Sequence, residues 1–295
     1  MIFLGWCLAR SQFLPAQALS DINRLSYWVG LPSLLFYRIG TADPDVQGVT
    51  GLLLVCTGAT LLGIVAAGIG ARLMGMPLRS YGTFMQGVFR GNLAFIGLPV
   101  VLYAFPGESG GAESTALLVF GPMVVLYNVL AVVVLVIPGG GSGSGIIRPA
   151  VYGLVTNPIL IASLAGVLLS LSGLTLPEVA SRTLSAVGQM ALPLALICIG
   201  ATLYTTEVKG SLGRAMVGAL MKVALIPAIG LALAWAVGLS DEQTRIALIL
   251  MACPTASVSY VLVRQLRGDE ALASSIVVFA NLLAIPAMFI VLAIT

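Results

Sequence analysis

The chain contains no histidine, and charged residues make up only 8% of its 295 positions, against roughly 25% in a soluble domain. The missing histidine removes the usual base near neutral pH and the commonest metal ligand. The scarcity of charge comes with 59% hydrophobic residues and a mean hydropathy of +1.08. A water-soluble globule, a disordered chain and a nucleic-acid-binding protein are thereby excluded, because none could keep so much apolar surface from water. Cysteine is scarce too. Cys7, Cys56, Cys198 and Cys253 stand singly in apolar stretches, so neither a disulfide frame nor a zinc site is expected. No His-Glu-x-x-His pattern, Asp-rich diphosphate motif or Walker loop occurs, which leaves an enzyme little to work with. No cofactor and no metal are expected.

What the chain does have is apolar length. A helix needs about 20 apolar residues to cross ~30 Å of hydrocarbon. Apolar runs lie near 1–9, 22–40, 48–71, 82–104, 115–137, 157–172, 183–204, 214–238, 244–264 and 271–294. They predict an all-α polytopic membrane protein of about ten transmembrane helices. The strand alternation of a β-barrel is missing from runs such as Leu52 to Ala71. Arg10, Arg24, Arg72, Arg79, Arg148, Lys209, Arg214, Arg264 and Arg267 fall in odd-numbered connections, against Arg38, Arg182 and Arg245 in even-numbered ones. This bias predicts odd connections in the cytoplasm and both termini outside. The first run would be only about 14 Å long as a helix, so residues are expected to be missing from its front. Pro138 to Gly145 reads Pro-Gly-Gly-Gly-Ser-Gly-Ser-Gly, a flexible composition. It divides the chain into 1–138, a Gly/Ser-rich cytoplasmic linker over 139–149, and 150–295.

The two halves echo each other. Leu14-Pro15 and Leu31-Pro32 are matched by Leu176-Pro177 and Leu192-Pro193, and an arginine stands nine residues before each of Pro99 and Pro254. Five helices per half is an odd number, so the second half should be inverted relative to the first, as in many transporters. Proline inside a span removes a backbone donor and clashes with the preceding turn. Ile96-Gly97-Leu98-Pro99 and Ala252-Cys253-Pro254-Thr255 are therefore expected to break helices four and nine, and the breaks to cross near the midplane. Non-helical backbone survives there only when buried in protein or lining a cavity. Asn92, Gly97, Pro99, Pro254, Thr255 and Ser257 are the candidate substrate and crossover residues, with Pro32 and Pro193 as candidate cavity walls. The polar ones could equally bond their own helix or glue two helices together.

All 11 carboxylates lie in connections or at span ends, whereas Arg90 and Lys222 lie within spans. Charge inside a membrane is costly and usually functional, although both side chains could snorkel to an interface. Cations without counter-charge, beside half-helix N-termini, point to an anionic ligand. Arg90 and Lys222 are thus the candidates for pairing with it. The expected partners are a small organic anion and the lipid bilayer, with a second copy of the chain left open, and no nucleic acid.

Arg90-Gly91-Asn92 through Gly97-Leu98-Pro99, Asn157-Pro158, Ala191-Leu192-Pro193-Leu194-Ala195-Leu196 through Gly200-Ala201, and Pro254-Thr255-Ala256 resemble the auxin efflux carrier family over essentially the whole chain. The resemblance implies a fold similar to the bile-acid sodium symporters, with an inverted five-helix repeat and crossed broken helices. It also implies a permease for a small mono- or dicarboxylate such as malate or malonate, working by alternating access. A sensor or channel of the same build, binding or conducting without carrier turnover, is the alternative. The chain departs from the family in its short front and in lacking the long hydrophilic central loop of plant relatives. It also lacks the deep carboxylates of the sodium symporters, so sodium coupling is unsupported.

Overall fold

In lipid a segment must satisfy its own backbone groups, so long apolar runs become helix. The computed structural model describes residues 1–41, 49–105, 111–136, 155–205, 208 and 210–294. Its first half holds α1 (Ile2–Arg10), α2 (Ala16–Leu25), α3 (Leu31–Gly40), α4 (Val49–Leu73), α5 (Leu78–Phe89), α6 (Leu98–Ala104) and α7 (Gly111–Val136). The second holds α8 (Pro158–Ser172), α9 (Glu178–Thr205), α10 (Leu212–Leu220), α11 (Ile226–Val237), α12 (Asp241–Ala252), α13 (Val258–Gln265) and α14 (Glu270–Ile294). The linker expected over 139–149 lies outside the described residues.

Val49–Leu73, Thr115–Val136, Glu178–Thr205, Leu212–Val237 and Glu270–Ala293 are each long and apolar enough to cross a bilayer. The 25 residues of α4 extend about 37 Å at 1.5 Å per residue. That helix buries Ala59, Gly63, Ala67 and Ala71 and turns Leu54, Leu61, Val65 and Ile69 outward, the reverse of a helix bathed in water. The protein is an all-α polytopic membrane protein, as the apolar runs indicate.

Three widened, π-type turns interrupt these helices: Ser26–Gly30, Leu93–Gly97 and Met221–Leu225. Each runs directly into a helix whose second residue is proline: Pro32, Pro99 and Pro227. The cause is local. Proline has no N–H and its ring crowds the carbonyl four residues back, here Trp28, Phe95 or Val223, and one extra residue in that turn relieves the crowding. The helix therefore passes through Pro99 unbroken, and the expected break at Ile96 to Pro99 is corrected to Arg90–Asn92, one to two turns earlier. Pro193 also differs from the expected matched irregularity. It lies within continuous α9, where a proline costs a hydrogen bond and a bend without ending the helix.

The helices sort into two bundles. In one, α1 packs along α9, and α3 packs between α8 and α9. Gly5 faces the backbone of Ile197 and Gly200 faces the backbone of Ile2, with no room for a Cβ at either, so α1 and α9 touch main chain to main chain. In the other bundle, α4 packs against α5 and α11, α5 against α7 and α14, and α14 against α10 and α12. The bundles meet where α7 touches α3 and α8, and where the widened turn Leu93–Gly97 reaches α9.

Candidate functional site

Helices α5 and α12 both end inside the second bundle, and the chain beyond each runs extended before helix resumes. Arg90 (φ −78°, ψ 90°) and Cys253 (φ −51°, ψ 138°) mark the two departures. Extended backbone within a membrane protein needs partners, and the two breaks supply them to each other. The Asn92 N–H donates to the Pro254 carbonyl at 2.8 Å, and the Ala256 N–H donates to the Arg90 carbonyl at 3.0 Å. Gly91 and Thr255 thereby form an isolated antiparallel bridge. The Thr255 hydroxyl donates at 2.6 Å to the carbonyl of Gly87, in the last turn of α5. Lys222 does the equivalent for α12, its Nζ donating at 2.7 Å to the Met251 carbonyl. Such last-turn carbonyls have no partner within their own helix.

Small residues permit the crossing. A Cβ on Gly97 would stand 2.7 Å from Cys253 Sγ, and one on Gly91 would stand 3.4 Å from Lys222 Nζ and 3.5 Å from Cys253 Cβ. Asn92 starts the helix that follows, its Oδ1 accepting from the Phe95 N–H at 3.3 Å.

A cavity of about 570 Å³ opens beside the crossover, between the two bundles, within the range of about 300–1,000 Å³ typical of small-molecule sites. One bundle contributes Asn23, Tyr27, Asn157, Cys198 and Thr202, and the other contributes Arg90 to Phe95, Tyr127, Asn128 and Ala256 to Val258. The lining continues to Thr205 and Gln265, the last residues of α9 and α13, so the cavity runs from the crossover toward the ends of helices on one side.

Arg90 is the chemical centre of this lining. Only 6% exposed, it donates from Nη2 to Asn128 Oδ1 at 2.7 Å. Asn128 is itself oriented by donating from Nδ2 to the Val124 carbonyl at 2.9 Å. Nη1 of Arg90 and Nδ2 of Asn92 are buried and have no hydrogen-bond partner. Buried donors are almost always satisfied, so two unpaired ones lining a single cavity fit an acceptor-rich guest. A guanidinium and an amide together suit a carboxylate. Among the described residues no cluster of His, Cys, Asp and Glu suited to a metal occurs.

The structure gathers Arg90, Asn92, Pro254, Thr255 and Ser257 at or beside the crossover, with Arg90, Asn92 and Ser257 lining the cavity. Gly97 packs against Cys253 behind it. Pro99, Pro32 and Pro193 lie outside the lining, as does Lys222, which is 0% exposed, its Nζ 3.4 Å from where a Cβ on Gly91 would stand. Tyr27 and Asn128 were not singled out from the sequence, and Asn157 only within the Asn157-Pro158 pair that carries the family resemblance. Asn128 carried a usable signal, as the lone amide in the apolar stretch from Ala116 to Val136. A second depression, of about 560 Å³, lies around Tyr37, Glu178 and Arg182. It is a surface feature, since Arg182 and Glu178 pair with each other while 80% and 75% exposed.

Comparison with known proteins adds two kinds of likeness. The chain matches the family described as "Membrane transport protein" twice, over residues 1–147 and 146–292. It is 24% identical over 291 residues to an "Uncharacterized transporter" of Methanothermobacter thermautotrophicus, covering 97% of this chain and 92% of that one. To a "Putative malonate transporter" of Rhizobium meliloti it is 25% identical over 299 residues, covering 97% and 89% respectively.

Proposed function

The chain belongs to the membrane transport protein family, that of the auxin efflux carriers, and on that premise we propose that it is a secondary carrier for a small organic anion. It is a membrane transporter and not an enzyme. The finer reading, a mono- or dicarboxylate moved by alternating access, rests above all on one observation. Arg90 Nη1 and Asn92 Nδ2 are buried and unpaired, on two residues that line one cavity. The name of the Rhizobium relative, with malonate in it, supports a dicarboxylate.

Position supports a carrier. The cavity lies between two bundles whose mutual contacts are few beside those within each, so one bundle can rock against the crossover and turn the same residues to the other side. The proline series that recurs in both halves of the sequence supports two repeats of five helices, the second inverted, with the crossover at its centre. The basic connections and the open end of the cavity fall on one side, since Thr205 and Gln265 precede odd-numbered connections. On the reading that basic loops face the cytoplasm of a bacterial inner membrane, the cavity faces inward and both termini lie outside.

The test is uptake of radiolabelled malonate and malate into proteoliposomes. Saturable uptake by the wild type, abolished in Arg90→Ala, is expected. Saturable uptake unchanged in Arg90→Ala would remove the cavity from the account.

A further inference from the structure

The cavity accounts for Arg90 but leaves the second in-span cation without a role. Lys222 occupies the widened turn Met221–Leu225 and is 0% exposed. Its Nζ has one hydrogen-bond partner, the Met251 carbonyl at 2.7 Å. An ammonium carries three donors, and burying it without a counter-ion is costly. A neutral amine can make the same single bond, so the geometry admits both protonation states.

Among the described residues no acid is placed to hold the charge in place. The titratable side chains near enough to act on Lys222 are two thiols, Cys253 at the crossover and Cys56 on α4. Other charged residues on the helices packed around this turn are engaged elsewhere or stand at helix ends. Arg214 of α10 donates to the Met74 carbonyl, Arg245 of α12 lies over the Phe105 ring, and Glu270 of α14 accepts from Tyr260. Asp241 and Glu242 lie in the first turn of α12, and Arg72 in the last turn of α4. Arg79 of α5 donates to the Gly268 carbonyl. Arg90, next to Gly91 in the chain, lines the cavity.

The position of the amine relative to the cavity is its most informative feature. The Cβ site of Gly91 is 3.4 Å from Nζ, while Arg90, Gly91 and Asn92 line the cavity. Nζ thus stands beside the stretch of crossover backbone that lines the cavity. Resting on the anion-carrier reading above, we propose that Lys222 is the proton-coupling group of this transporter, charged when the cavity holds an anion and neutral when it is empty. As the anion enters, the Nζ lone pair takes one proton from water, forming an N–H bond. As the anion leaves on the other side, that bond breaks, the electron pair returns to nitrogen and the proton goes to water there. One proton thus moves with each anion, with no carboxylate relay.

The expected coupling follows from charge separation. For an anion taken to sit about 7 Å from Nζ, at an effective dielectric constant of about 20, one unit of negative charge shifts the proton affinity by about 50-fold, and the proton shifts the anion affinity by the same factor.

The experiment is malonate binding to the purified full chain in nanodiscs from about pH 6.5 to about pH 9.5, below and toward the usual lysine range, with proton uptake read in weakly buffered solution. The wild-type Kd should weaken toward alkaline pH by up to about 50-fold, with protons taken up on binding. Lys222→Arg keeps a permanent charge and should bind tightly at every pH, taking up none. Lys222→Gln, which can still donate to Met251, should bind at every pH as weakly as the wild type does at the alkaline end. This second variant serves if the arginine is not accommodated. A pH-independent wild-type Kd, or the same slope in either variant, would overturn the role of Lys222 and leave the anion site standing. Absence of saturable malonate binding at any pH would overturn the carrier reading, and this proposal with it.

Discussion

Replacing Arg90 by Gln removes the charge at the cavity while keeping a planar hydrogen-bonding group on a shorter side chain. In the protein as it stands, Nη2 is committed to Asn128 at 2.7 Å and Nη1 is unpaired, so the guanidinium is oriented before a ligand arrives. One charge-assisted hydrogen bond is worth about 1.5–3 kcal/mol. At about 1.4 kcal/mol per decade this corresponds to a Kd for malonate about 10- to 150-fold weaker in Arg90→Gln. Asn128→Leu should act more mildly, because the charge stays and only its tether is lost. Holding a freed guanidinium in place costs about 1 kcal/mol of side-chain ordering, which corresponds to about 5-fold. The assay is equilibrium binding of radiolabelled malonate to purified protein, with a thermal melt of each variant to establish that it is folded. A folded Arg90→Gln that binds within about twofold of the wild type would refute the reasoning, since no bond of that strength could then have been lost.

Other consequences of the crossover can be measured directly. Gly97→Ala should destabilise the protein by about 1–3 kcal/mol through overpacking, because its Cβ would meet Cys253 Sγ at 2.7 Å. The double variant with Cys253→Ala should recover much of that loss, and simple additivity in denaturant unfolding would count against the contact. Thr255→Val keeps the side-chain shape but leaves the Gly87 carbonyl without its donor, at a cost of about 1–3 kcal/mol; an unchanged melting temperature would show that this cap is dispensable. Gln265→Cys, at the open end of the cavity, should be modified by a membrane-impermeant maleimide from the cytoplasmic side of oriented vesicles. Modification only from outside would reverse the assigned orientation.

The residues differ in how openly the sequence declared them. Runs such as Val49–Leu73 announce helix and lipid together, because a continuous apolar stretch of that length has few other places to go. Pro254 announced a break correctly. Pro99 did not, because a widened turn at Leu93–Gly97 absorbs a proline that in isolation reads as a breaker. The true break at Arg90–Asn92 has no proline and is held by pairing with the distant segment Pro254–Ala256, a contact that sequence spacing does not reveal. For the same reason the prolines at 99 and 254 are not equivalent in place: one lies beyond its crossing and the other within it. Arg90 and Lys222 were both legible as costly charges. Only the fold shows that both stand beside Gly91, with Arg90 lining the cavity and Lys222 bonded to the carbonyl end of α12. Tyr27 and Asn157 reach the cavity from the opposite bundle, so their part depends on how two bundles pack and not on any local pattern.

The central claim, that one cavity at a crossover carries an anion from side to side, is tested most directly by counterflow. Proteoliposomes preloaded with unlabelled malonate and diluted into tracer should take up label faster, and to a transient excess, than empty ones, because each returning carrier brings tracer inward. Uptake that is indifferent to preloading and rises linearly with concentration would contradict the carrier account and make the protein a channel. Tight binding with no flux in either condition would contradict it in favour of a sensor.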